Sequence, residues 1–188
     1  MKSIRSLLES FRLLQVKFPK LRGFVPLPSP TLLSTVKTFI PDSSDITLSI
    51  GDSINVLQAA DVGILKSGTS NLQAAFLGLP FVMFFKAPKF TEFVVRNLVK
   101  IKQYSPVNVV RPNTATELLQ EDASPERIAK EIEEILTNRE SRDKICCRLR
   151  EVTEILSSSD SATVFHDARS AYERVASLAA SLVSRKAS

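Results

Sequence analysis

The sequence has only two cysteines and one histidine. The cysteines, Cys146 and Cys147, are neighbours, so a disulfide framework is impossible and a strained bridge between them is unfavourable. This cysteine usage is typical of a reducing compartment. The histidine, His166, lies in a helical pattern near the carboxyl end and is interpreted as an ordinary surface or packing residue.

Long apolar runs and one-sided charge are also absent. No apolar run approaches the ~20 residues of a membrane-spanning helix. The amino-terminal stretch is an amphipathic pattern that contains Glu9 and does not have the shape of a cleavable signal. The 25 Lys and Arg residues are interleaved with 20 Asp and Glu residues, unlike the basic arms of nucleic-acid-binding proteins. The sequence therefore favours a soluble or peripheral protein that binds anionic ligands or a membrane surface and does not bind nucleic acid.

Short β-rich runs alternate with helical patterns along the first part of the chain, and five runs are predicted as strands. They are Leu21–Pro28, Ile46–Ile50, Val62–Lys66, Phe81–Phe85 and Val107–Val110. From Glu117 onward the pattern is predicted to be all helical. Strands separated by crossover helices are typical of an α/β fold, a doubly wound parallel sheet flanked by helices. The expected organisation is one domain over residues 1–156, followed by a carboxyl-terminal helix and tail over 157–188.

The segment Ser67-Gly68-Thr69 lies between a predicted strand and a predicted helix. In doubly wound sheets, ligands bind beyond the carboxyl ends of the strands, which is where this turn is expected. Gly68 lets the backbone approach a ligand, and the hydroxyls and the N–H groups of the helix start can bind a phosphate. The alternative is that Ser70 and Gln73 form a capping box, Ser-x-x-Gln, without any ligand.

Three longer segments carry a family resemblance: residues 60–88, 97–110 and 116–132. Their order of Ala-Asp, Ser-Gly-Thr, Gly-x-Pro, Leu-Val-Lys and Glu-Leu-Leu-Gln-Glu resembles the carboxyl-terminal half of lipid-A-disaccharide synthase, over about Met1 to Leu156. The resemblance implies the Rossmann-like carboxyl-terminal half of a GT-B glycosyltransferase of family 19, which binds the nucleotide-sugar donor. It also implies that the amino-terminal acceptor domain is absent and that the chain is a fragment, truncated copy or short isoform.

The family transfers a sugar from UDP-2,3-diacylglucosamine to 2,3-diacylglucosamine 1-phosphate with inversion, which gives the lipid A disaccharide and UDP without a metal ion or cofactor. The resemblance expects the general base in the amino-terminal domain, so no catalytic residue is assigned here and the isolated chain is expected to be inactive. The implied substrate-binding residues are Ser67, Gly68, Thr69, Gln73, Asn108, Glu117 and Gln120. Two alternatives stay open: a catalytically silent binding or structural remnant, and another UDP-sugar transferase of the GT-B type.

Three positions depart from the family pattern. Gln73 stands where the family has Glu, and a neutral amide binds ribose hydroxyls less strongly than a carboxylate. Pro106 lies two residues before Asn108, whereas the family has proline directly before the asparagine. Phe85 and Lys86 replace a Tyr-Arg pair, which loses a hydroxyl and a bidentate fork.

The segment Lys89–Lys102 mixes Lys and Arg with aromatic and aliphatic residues, as helices at a membrane surface do. Since both substrates of the family are acylated lipids, this segment is predicted to contact a membrane. The chain is expected to form a homodimer or to need a separate acceptor domain. A bacterial protein of this kind is expected in the cytoplasm, peripheral to the inner membrane, and a eukaryotic one in mitochondria or plastids.

Overall fold

The computed structural model describes residues 2–40, 45–86 and 103–157. The described strands are all parallel and lie in two sheets. The first sheet pairs β1 (Gly23–Leu27) with β2 (Ile46–Ile50), and the second has the order β3 (Gly63–Lys66), β4 (Phe81–Phe85), β5 (Thr116–Leu119). The α/β prediction is confirmed, although the strands are divided between two sheets instead of forming one.

Helices connect the strands in the alternation that the sequence predicts. The described helices are α1 (Lys2–Lys17), α2 (Pro30–Lys37), α3 (Ser53–Ala59), α4 (Thr69–Phe76), α5 (Pro106–Val110), α6 (Pro125–Thr137) and α7 (Arg139–Ser157). The hydroxyl of Ser124 accepts a hydrogen bond from the backbone N–H of Arg127, and Pro125 occupies the first turn, so α6 begins where its capping signal predicts.

Two element predictions are wrong. Val107–Val110, predicted as the fifth strand, forms helix α5, and the fifth strand is instead Thr116–Leu119, within a stretch predicted to be helical from Glu117. A run of four mostly apolar residues does not distinguish a strand from a buried helical turn. Here Pro106 opens a helix, and Val107 is fully buried in the core.

Strand β4 separates two core clusters. Phe81 and Met83 belong to one cluster, with Ala74 of α4 and Leu149 of α7. Val82 and Phe84 belong to the other, together with Leu14 of α1 and buried residues of α6, namely Ile128, Ala129, Ile132 and Ile135. Because successive side chains of a strand point to opposite faces, a strand covered on both faces has no polar alternation. This double coverage explains the continuous apolar run Phe81–Phe85.

The chain divides into two compact units, Met1–Thr153 and Glu154–Ser188. The first unit contains both sheets, and of the second only residues 154–157, the end of α7, are described. Within the described ranges, no helix is both long and apolar enough to cross a membrane. The predicted helix Lys89–Lys102, the predicted helix over 163–183 and His166 lie outside the described residues.

Candidate functional site

The turn between β3 and α4 is open at Gly68. Gly68 directly precedes α4 and has φ 157° and ψ −169°, a region that is essentially restricted to glycine. A Cβ atom added there would meet nothing within 4 Å. A ligand can therefore approach the backbone of this turn closely.

The helix start at Thr69 excludes the capping-box alternative. Gly68 occupies the capping position, so Ser70 is the second residue of α4 and no side chain caps the helix. The first N–H groups of a helix have no partner within the helix and carry its positive dipole end. Thr69 is exposed at that end. The turn thus combines an open backbone with the helix start that phosphate groups favour.

Ser67, which follows the carboxyl end of β3, is hydrogen-bonded to a second segment, residues 103–105. Its hydroxyl donates to the backbone carbonyl of Tyr104 at 2.6 Å. The hydroxyl hydrogen is therefore used within the protein, and Ser67 contributes to the site by holding the turn against residues 103–105. A direct contact of Ser67 with a ligand stays a prediction.

Asn71 supports the same turn, although the sequence analysis did not identify it. Its side chain is fully buried. The amide nitrogen donates to the carbonyl of Lys66 at 3.0 Å, and the amide oxygen accepts from the hydroxyl of Ser105 at 3.0 Å. The sequence gives only a weak signal for this role, an asparagine in the first turn of a helix, and its importance follows from its burial, because a buried amide needs partners.

Glu117 and Asn108 form a network beneath that segment. The Glu117 carboxylate accepts from the backbone N–H of Tyr104 at 2.9 Å, from that of Ser105 at 2.8 Å, and from the Asn108 amide at 2.7 Å. The same Asn108 amide nitrogen donates to the carbonyl of Ala115 at 2.8 Å, and its oxygen accepts from the Ala115 N–H at 2.9 Å. Both side chains are thus engaged in holding the loop and α5.

The two glutamines of the predicted site lie at the end of β5 and on α4. Gln120 follows β5 directly with a left-handed φ of 50°, and its backbone N–H donates to the carbonyl of Phe85 at 2.8 Å. Gln73 is exposed on α4, one turn after Thr69 and on the same face. Ser67, Asn108 and Glu117 are therefore brought together, whereas Gln73 stands with Thr69.

The residues that replace the family's Tyr-Arg pair also lie at this edge. The ring of Phe85 stacks on that of Tyr104, with centroids 6.1 Å apart. The ammonium group of Lys86 donates to the hydroxyl of Ser6 in the first turns of α1 at 2.8 Å. Lys66 and Lys86 thus lie at the carboxyl ends of β3 and β4, and the amino-terminal turns of α1 and α4 lie there too. The positive charge of these groups favours an anionic ligand.

In the described part of the chain, no group of three or more His, Cys, Asp or Glu residues could hold a metal ion. The donors that are present at the carboxyl edge are N–H groups, hydroxyls, amides and ammonium groups. These are groups that bind phosphate directly.

Comparison with known proteins identifies similar sequences. The family model of lipid-A-disaccharide synthetase matches residues 1–166. The lipid-A-disaccharide synthase of Gloeothece citriformis (strain PCC 7424) is 34% identical over 147 residues, which is 76% of this chain and 38% of that protein. The synthase of Anaeromyxobacter dehalogenans (strain 2CP-C) is 35% identical over 150 residues, 78% of this chain and 39% of that protein. The synthase of Coxiella burnetii (strain Dugway 5J108-111) is 29% identical over 149 residues, 79% and 39% of the two chains. The chain thus spans 38–39% of the length of these relatives.

Proposed function

Because this chain belongs to the lipid-A-disaccharide synthetase family, whose model covers residues 1–166, we propose that it binds the nucleotide-sugar donor of a lipid-A-disaccharide synthase reaction. In that reaction UDP-2,3-diacylglucosamine transfers its sugar to 2,3-diacylglucosamine 1-phosphate and releases UDP. The observation that carries the proposal is the open turn at Gly68, which joins a strand end to a helix start.

The pyrophosphate is proposed to lie against Gly68 and Thr69. The N–H groups of the α4 start would donate to its oxygens, and Lys66 and Lys86 would supply positive charge. As the sugar leaves, negative charge develops on the UDP phosphate, and fixed donors at this position stabilise it without reorganisation. This is electrostatic assistance to the departure of UDP.

The remaining predicted residues take two different roles in this proposal. Gln73 lies one helical turn beyond Thr69 and would accept from the ribose hydroxyls, and Gln120 would approach the donor from the end of β5. Asn108 and Glu117 would act as positioning residues, because their hydrogen bonds hold the loop that contacts Ser67. These assignments rest on family membership and on the geometry of the edge.

The acceptor side of the reaction is proposed from the family alone. An acylated glucosamine phosphate would be the second substrate, and another domain would supply the general base, either as a separate acceptor domain or in a homodimer. The protein would lie peripheral to the inner membrane of a bacterium, as its bacterial relatives suggest, with mitochondria or plastids as the eukaryotic counterpart. Membrane contact through Lys89–Lys102 stays a prediction, since that segment lies outside the described residues.

The donor site can be tested by titrating the full chain with UDP and with uridine, followed by amide chemical shifts. We expect the largest shifts at Gly68 and Thr69 and much weaker binding of uridine, because uridine lacks the phosphates. Gly68→Ala should weaken UDP binding about tenfold or more, since it closes the approach and strains φ. Gly78→Ala is the matched control, because Gly78 also has a positive φ with open space around it but lies at the other end of α4.

The alternative of a silent structural remnant is favoured by one observation: the side chains of Asn108 and Glu117 form hydrogen bonds within the protein. No shift with millimolar UDP, or equal effects of Gly68→Ala and Gly78→Ala, would support that alternative. Another UDP-sugar transferase of the GT-B type would bind UDP equally well. Comparing acylated with non-acylated UDP-glucosamine distinguishes it, because only the lipid enzyme should prefer the acylated donor.

A further inference from the structure

Ser105 connects the turn at Gly68 to the loop before α5 through a buried hydrogen bond. Its side chain is fully buried, and its hydroxyl donates to the amide oxygen of Asn71 at 3.0 Å. Asn71 is also fully buried and lies in the first turn of α4. Because buried polar groups need partners within the protein, the two side chains satisfy each other. Their bond is a fixed contact between segments that lie 34 residues apart in the chain.

The partners of Asn71 allow only one orientation of its amide group. The amide nitrogen lies 3.0 Å from the carbonyl oxygen of Lys66, and a carbonyl can only accept a hydrogen bond. The NH2 group therefore faces Lys66, and the amide oxygen faces Ser105, whose hydroxyl supplies the hydrogen. The Ser105 hydroxyl consequently sets the orientation in which Asn71 can bind Lys66.

Asn71 holds two carbonyl groups of the turn on the protein side. Its side chain donates to the carbonyl of Lys66, and its backbone N–H donates to the carbonyl of Gly68 at 3.1 Å. In a trans peptide the C=O and the N–H point in opposite directions. The N–H of Thr69 shares a peptide unit with the Gly68 carbonyl, so it points away from Asn71. As the first residue of α4, Thr69 has no acceptor for this N–H within the helix, and the donor faces outward from the helix start.

Ser105 is itself held by β5 and α5. Its backbone N–H donates to the carboxylate of Glu117 at 2.8 Å. Its carbonyl accepts from the N–H groups of Asn108 at 3.0 Å and of Val109 at 3.1 Å. Since both backbone groups are engaged, the Ser105 hydroxyl has a fixed origin. Its bond to Asn71 therefore fixes the turn relative to the sheet.

We propose that Ser105 is a positioning residue for the phosphate-binding turn and that it acts through Asn71. This inference rests on the proposed binding of UDP at Gly68 and Thr69. Because Ser105 and Asn71 are both fully buried, neither side chain is available to a ligand. Their hydrogen bond instead keeps the Thr69 N–H in the orientation that a phosphate oxygen requires before the ligand arrives. Such preorganisation raises affinity, because less freedom is lost on binding.

The alternative is a purely structural role, in which the bond stabilises the fold and does not affect the affinity for a ligand. A second link between the same two segments makes the roles separable. The hydroxyl of Ser67 donates to the carbonyl of Tyr104 at 2.6 Å. Ser105→Ala should therefore leave the segments connected while it frees the amide of Asn71 to rotate.

The test measures the dissociation constant of UDP by calorimetry for the full chain, for Ser105→Ala, for Asn71→Ala and for the double variant. Ser105→Ala should weaken UDP binding about fivefold, the effect of one neutral hydrogen bond. Asn71→Ala should weaken it at least as much. Because Ser105 acts through Asn71, the double variant should bind UDP no more weakly than Asn71→Ala alone. Inorganic pyrophosphate should follow the same pattern, since the affected donor contacts the phosphates.

Thr114→Val is the matched control. Thr114 is also buried, and its hydroxyl donates to the carbonyl of Arg111 at 2.6 Å. It precedes β5 and therefore lies at the amino edge of the sheet, away from the turn. The variant should lose stability in urea, as Ser105→Ala does, but keep the affinity of the parent for UDP. Equal weakening of UDP binding by the two variants would assign the effect to a general loss of stability and overturn the proposal.

The remaining outcomes separate this proposal from the proposed function. If UDP does not bind the parent, the donor site fails and the positioning role fails with it. If UDP binds the parent and Ser105→Ala equally well, only the positioning role fails. Additive losses in the double variant would show that Ser105 does not act through Asn71.

A measurement on the parent alone tests the hydrogen bonds without any variant. The side-chain amide protons of Asn71 should exchange with solvent much more slowly than those of Asn55, whose hydrogen bond lies on the exposed surface. Equal exchange rates would contradict the buried contacts on which the positioning role depends.

Discussion

The carboxylate of Glu117 lies 2.8 Å from the backbone nitrogen of Ser105, whose N–H it accepts. Ser105 precedes α5, and Glu117 lies on β5, so this contact fastens the start of a helix to a strand of the sheet. The adjacent Tyr104 donates its N–H to the same carboxylate and accepts from the hydroxyl of Ser67 through its carbonyl. The turn at Gly68 is therefore held in place from β5 through one intervening loop.

Glu117→Gln should destabilise the protein by about 2 kcal/mol. The variant keeps the size of the side chain but replaces one oxygen by an amide donor, so it cannot accept all three hydrogen bonds, and those that survive lose their charge assistance. Urea unfolding measures the change. Glu121→Gln, at an exposed position, is the control and should be within about 0.5 kcal/mol of the parent. Equal stability of the two variants would show that the network is not stabilising.

Asn71→Ala should cost about 2 to 3 kcal/mol, because it leaves the carbonyl of Lys66 and the hydroxyl of Ser105 without their partner in a buried site. Asn55→Ala is matched in chemistry, since Asn55 donates to Asp52 at 2.6 Å but on the exposed surface. Its cost should be well below 1 kcal/mol. Thermal and urea unfolding of both variants compare the two sites, and a larger effect at Asn55 would contradict the role given to Asn71.

Gln73→Glu should tighten UDP binding about fivefold if Gln73 contacts the ribose. A carboxylate accepts hydroxyl hydrogen bonds with charge assistance, which adds roughly 1 kcal/mol over an amide. Calorimetry on the full chain measures the dissociation constant. Gln58→Glu makes the same charge change at an exposed position on α3 and should leave binding unaltered. Weaker binding by Gln73→Glu would exclude the ribose contact.

The two cysteines should react with iodoacetamide at different rates. Burial raises the pKa of the Cys146 thiol, and the charge of the nearby Arg142 offsets this only in part. Cys147 is exposed. The raised pKa lowers the thiolate fraction of Cys146 at pH 8, and Cys147 is the more exposed of the two side chains, so Cys147 should be alkylated faster, as mass spectrometry of the Cys146→Ser and Cys147→Ser variants would show. In urea the two alkylation rates should become equal. If they stay different, the difference comes from the neighbouring residues in the sequence and not from the fold.

The same shift has a consequence for stability at high pH. The pKa of Cys146 is higher in the folded than in the unfolded chain, so the folded state holds this proton more tightly. Its contribution is therefore fully present at low and neutral pH and is lost as the pH rises through the unfolded and then the folded pKa. The free energy of unfolding of the parent should fall more steeply above pH 8 than that of Cys146→Ser. Parallel curves for the two proteins would contradict the raised pKa.

Local pattern was sufficient for much of the fold. The runs that became β1 to β4 and the start of α6 at Ser124 and Pro125 were predicted correctly from periodicity, glycine, proline and capping residues, which act over a few positions. The local sequence pattern gave wrong predictions at Val107–Val110 and Thr116–Leu119, because a short apolar run is compatible with a buried helical turn and with a strand. The choice depended on which segment lay beside β4 and could complete its hydrogen bonds.

The sequence by itself determined the class of fold, the position of the turn at Ser67-Gly68-Thr69 and the family. These follow from residue types at fixed short spacings, and such spacings can be recognised without knowledge of long-range contacts. Only the tertiary structure decided that Asn108 and Glu117 hold a loop, that Asn71 supports the turn, and that the described strands lie in two sheets. Each of these depends on hydrogen bonds, or on their absence, between segments far apart in the chain, and such pairing is set by how the helices and strands pack together.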